Sequence, residues 1–90
     1  MTTPLVLSDD TILLLGRFAD SLDARRPHAE MREEIRLARC LVFAEQLHGP
    51  TEKAFDTEQD LLAAAPPVRP GQSRAEYAAL LRLVARGVRQ

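Results

Sequence analysis

The sequence predicts an all-α protein, a small antiparallel four-helix bundle in a single domain spanning 1–90. Three observations carry that expectation. Apolar residues recur at i, i+3, i+4 and i+7 in four separate stretches, the spacing of a helix with one buried face. Each stretch opens on Ser, Thr or Pro, and the first three close on Gly or Pro, the residues that start and stop helices. No run alternates apolar and polar residues for long enough to argue for a strand.

Residues 1–7 form a short arm containing Pro4. Ser8 is placed to cap the first helix, with Asp9 and Asp10 in the first turn, where the helix dipole favours negative charge. Leu7 and Ile12 stand at the spacing of a hydrophobic staple. The helix is expected over about 9–24, with Ile12, Leu15, Phe18, Ala19 and Leu22 facing inward. Leu13 and Leu14 lie off that stripe and need another neighbour.

Pro27 interrupts the pattern and is assigned to the start of a second helix over about 28–48, which Gly49-Pro50 ends. The short turn between the first two helices argues for antiparallel packing. The second helix holds the most apolar run of the chain, Leu37 to Ala44. A helix apolar on nearly every side is normally buried on several sides, so it is expected at the centre of the bundle. The alternative reading is that one of its stripes is a docking face for another chain.

Thr51 is a cap for a third helix over about 52–65. A second cap-like start at Thr57 leaves open whether this is one helix or two. Pro66-Pro67 ends it, and 66–73 is a Pro- and Gly-rich loop expected to be the mobile connector. Ser73-Arg74-Ala75-Glu76 has the form of a capping box, opening a fourth helix over about 74–89. Its inward stripe is Tyr77, Leu80, Leu81, Val84 and Val88, and Arg82, Arg86 and Arg89 line the other side.

The net charge of −1 gives no global attraction to nucleic acid or acidic lipid, but the charge is uneven. Residues 1–24 carry −3, 25–50 carry +1, 51–67 carry −3 and 68–90 carry +4. The basic last helix can complement the acidic helices of its own bundle. The alternative is contact with an anion or nucleic acid through Arg82, Arg86 and Arg89. Against this, no aromatic residue is interleaved for base stacking, and no helix–turn–helix spacing is convincing.

Four arrangements bear on chemistry. Glu45-x-x-His48 has the spacing that puts two metal ligands on one helix face, but it occurs once, at a helix end, so no metal is assigned. Cys40 lies inside the apolar run, where a cysteine acts as a small apolar side chain. Asp20-Ser21-Leu22 resembles, over three residues, the site at which acyl carrier proteins hold phosphopantetheine. In that family the Ser opens a helix, whereas here it falls inside one, so no carrier role is assigned. Size and helicity resemble the all-helical chorismate mutases. That class needs several buried cations, which the inward stripes lack, and no residue is carried over.

The sequence therefore points to a non-enzymatic interaction or regulatory module without a cofactor, in which Leu13, Leu14, Leu37, Leu41 and Phe43 form a contact face for a protein partner or a second copy, a homodimer being expected. A nucleic-acid-associated regulator is the second reading and a small helical enzyme the third. A lone cysteine, no visible signal peptide and no run of about 20 apolar residues fit a cytoplasmic protein without a membrane span. The Ala, Leu and Arg richness fits a GC-rich, bacterial genome.

Overall fold

A computed structural model of the chain describes residues 7–87. It contains α1 (Asp9–Ala24), α2 (Glu33–His48), α3 (Glu52–Ala64) and α4 (Arg74–Ala85). Among the described residues there is no strand, only an isolated antiparallel bridge between Glu30 and Ser73. The arm before Leu7, and Val88 and Arg89, lie outside the described residues.

Local capping explains most of the helix ends. Ser8 Oγ accepts the Thr11 N–H at 3.1 Å and also meets the Thr11 hydroxyl at 2.9 Å. Thr51 accepts from the Ala54 N–H, and α3 then runs unbroken through Thr57, which is buried and starts nothing. Gly49 ends α2 at φ 69, a left-handed value open to glycine at little cost. Ser73 and Glu76 form the reciprocal capping box at α4.

The start of α2 differs from expectation. Helix 2 begins at Glu33 rather than near 28, because 27–31 is used to pair with the other loop. Met31 N–H donates to Gln72 O, Arg74 N–H to Ala29 O and Ala75 N–H to Pro27 O, at 2.8–2.9 Å. Two first-turn N–H groups of α4, which have no partner within their own helix, are satisfied this way. Met31 is drawn into the core at the same point. Arg26, just before the proline, takes φ 48, outside the right-handed region that a following proline disfavours. The loop 66–73 is tied down as well: Tyr77 Oη donates to Pro66 O at 2.6 Å, and Arg69 N–H to Gln72 Oε1 at 3.2 Å.

The helices pack mainly as α1 with α4 and α2 with α3. In the first pair Pro27, just past α1, meets Ala75, and Asp20 meets Arg82, so one number falls as the other rises and the pair is antiparallel. The three-residue link between α2 and α3 makes them a helical hairpin. His48 beside Asp10, and the Phe43 ring 6.3 Å from that of Phe18, run α2 antiparallel to α1.

The centre of the bundle is α1, not α2. It packs on all three other helices and buries Thr11, Leu14, Leu15, Phe18, Ala19 and Leu22. Ile12, expected inside, is exposed, and Leu14, expected outside, has no accessible surface. In α2 only Cys40 and Ala44 are fully buried. The molecule measures 36 × 33 × 18 Å. A helix with its side chains is about 10–12 Å across, so no more than two layers fit the short dimension. A helix in a two-layer protein keeps one side free.

Candidate interaction surface

The middle of the free side of α2, between the exposed Glu34 and Glu45, is apolar. Leu37, Ala38, Leu41 and Val42 stand at i, i+1, i+4 and i+5, so they share one face. Leu37, Leu41 and Val42 keep 48%, 42% and 43% of their surface accessible. Cys40 and Ala44 are buried in the core, with Phe43 and Leu47 half-buried on its edge. Leu13 lies on α1, which packs against α2. It lies one turn along α1 from Asp10, in the direction in which Leu41 lies two turns along the antiparallel α2 from His48. Leu13 is 44% accessible.

Of the five residues read as a contact face, Leu13, Leu37 and Leu41 are exposed. Leu14 and Phe43 are not part of that face. Leu14 sits in the core, and Phe43 packs its ring against Phe18. Ala38 and Val42, four residues apart, are exposed as well and were not among the five.

Next to Val42, α2 and the start of α4 border an open groove of about 300 Å³. Ile35, Ala38 and Val42 form its apolar lining, and Glu34, Arg39 and Arg74 its polar edge. Among the described residues neither arginine has a carboxylate within 4.0 Å. The Arg74 Nε is buried without a hydrogen-bond acceptor.

The arginines of α4 are arranged differently. Arg82 donates to Asp20 at 3.0 Å and lies 2.6 Å from Asp23, and these two carboxylates raise its pKa. Its charge is already answered within the bundle. Arg86 is exposed and directs Nε to the Arg82 carbonyl at 3.3 Å, and Arg89 lies outside the described residues.

Arg36 is the polar residue that sequence reading overlooked. It leans from α2 over the end of α3 and donates through Nη2 to Leu62 O at 2.6 Å and Ala65 O at 3.3 Å. Nη1 pairs with Glu33 Oε1 at 2.6 Å. A cation over the last carbonyls of a helix complements the dipole there. The inward side therefore does hold a cation, but one occupied in capping a helix.

The nucleophile and ligand candidates are placed as follows. Cys40 is buried, and loss of hydration pushes its thiol up to about 12, against the smaller opposing effect of Arg36. A neutral thiol is a poor nucleophile. Ser21 lies in the body of α1 and donates to Phe18 O at 2.7 Å. His48 Nε2 is 3.2 Å from Asp10 Oδ2, close enough to attract when protonated but not aligned as a hydrogen bond. Among the described residues no three His, Cys, Asp or Glu side chains converge as a metal site would need. No helix of the described residues is long and apolar enough to cross a membrane. Comparisons with protein-family models, with curated proteins and with solved structures found no match.

Proposed function

We propose that this protein is a non-enzymatic interaction module, working through the outer face of α2 with a partner protein or a second copy of itself. The observation that carries this reading is the direction in which α2 spends its apolar residues. The most apolar run of the chain sends only Cys40 and Ala44 fully into the core and leaves Leu37, Ala38, Leu41 and Val42 toward solvent. Single exposed apolar side chains are ordinary, but a contiguous patch marks contact surfaces. The pairing of Arg82 with Asp20 and Asp23 leaves the basic face of α4 with less free charge for phosphate than its sequence suggests.

The test is the native size of the tagged protein, pure and in an extract of its host, for wild type and Leu41→Glu. Wild type is expected to run larger than its 10.0 kDa monomer in at least one setting, and Leu41→Glu as the monomer in both. Two proteins of indistinguishable size in both settings would sink the reading.

A further inference from the structure

Apart from the α2 face, α3 carries the most exposed large apolar side chain among the described residues. Phe55 is 60% accessible and forms no aromatic pair among the described residues. Glu52 and Glu58 lie one turn before and one turn after it on the same side of the helix, with Asp56 beside it. Lys53, the one cation of α3, points away from Phe55 by helical spacing. The surface around Phe55 is therefore an aromatic knob ringed by carboxylates.

The groove beside Val42 is its counterpart. It has an apolar lining, two arginines against one glutamate on its edge, and a buried Arg74 Nε lacking an acceptor. Its volume, about 300 Å³, exceeds the roughly 150 Å³ in which a buried cavity takes up a benzene ring. Aromatic and arginine side chains are the residues that anchor protein contacts most often.

We propose that a second copy of this chain occupies the groove, with its Phe55 against Ile35, Ala38 and Val42 and its Glu52 and Glu58 beside Arg39 and Arg74. This rests on the reading of α2 as a contact face and names the occupant. Knob and groove are different patches of one chain, so each copy has one of each to offer. Blocking the knob on one copy and the groove on another should then be complementary.

The experiment is light scattering across a concentration series on wild type, Phe55→Asp, Val42→Glu and an equimolar mixture of the two variants. Both substituted side chains are solvent-exposed, and circular dichroism checks that each variant keeps its helices. Wild type is expected to rise above the monomer mass with concentration, each variant to stay monomeric, and the mixture to associate again. Arg39→Glu is expected to weaken wild-type association at least tenfold, and added salt to weaken it further. A wild-type chain that is monomeric at every concentration overturns the inference, as does a Phe55→Asp chain that associates like wild type or a mixture that stays monomeric. If the pure chain is monomeric but its size in extract still depends on Leu41, this inference fails while the contact-face reading stands.

Discussion

Cys40 and Arg36 lie one turn apart on α2 and show what a residue's surroundings decide. Burial raises the Cys40 pKa from 9.0 to about 12, so the folded chain holds a proton that the unfolded chain releases earlier. The sign follows: the folded state binds more protons above pH 9.0, and stability contributed by the neutral thiol drains away between pH 9.0 and about 12. Tyr77 shifts in the same direction, chiefly through burial, and adds to the loss. Urea unfolding at several alkaline pH values should show stability falling with pH, with a shallower slope in Cys40→Ala. An equal slope in both proteins would mean the thiol is hydrated in the native state. That Cys40 is buried was legible from the apolar run around it. Arg36 was not, because its acceptors, the carbonyls of Leu62 and Ala65, are distant in sequence and no local pattern announces them.

Among the elements, legibility follows how local the cause is. The caps at Ser8, Thr51 and Ser73 and the stop at Gly49 depend on residues within one turn, and each was readable. The start of α2 was not, since 27–31 gives up a helical turn to pair with 72–75 across the molecule. The inward face of α1 was misread by part of a turn, because its first buried member is Thr11, a polar residue whose hydroxyl is satisfied by Ser8. Arg36 joins α2 to the end of α3, so its removal should act on both helices. Arg36→Met is expected to cost about 2 kcal/mol, the scale of hydrogen bonds from a charged donor. Amide exchange should accelerate first in the last turn of α3. Exchange that accelerates evenly over the whole chain would argue that the side chain is only packed, not capping.

At the scale of the whole molecule, the four-helix architecture was legible and its centre was not. Composition and periodicity indicate how much apolar surface each helix carries, but not which side of it the other helices cover. Counted that way α2 looks central, yet the flat two-layer arrangement puts α1 in the middle and leaves α2 on the outside. The mismatch is the basis of the functional reading: Leu37, Leu41 and Val42 are apolar yet keep two-fifths or more of their surface accessible. Leu13, Leu37 and Leu41, expected to lie outside the core, are exposed, whereas the exposure of Phe55 and the groove at Arg74 depend on the packing of α3 and α4 and carried no sequence signal.

The most direct test of that claim is equilibrium urea unfolding of Leu41→Glu beside wild type, at a concentration where wild type is monomeric. A side chain the fold does not use should leave the midpoint and slope alike, with stability changed by no more than about 0.5 kcal/mol. A loss of about 2 kcal/mol or more, the scale of a disrupted core, would show that Leu41 holds the bundle together and would contradict a face kept for contact.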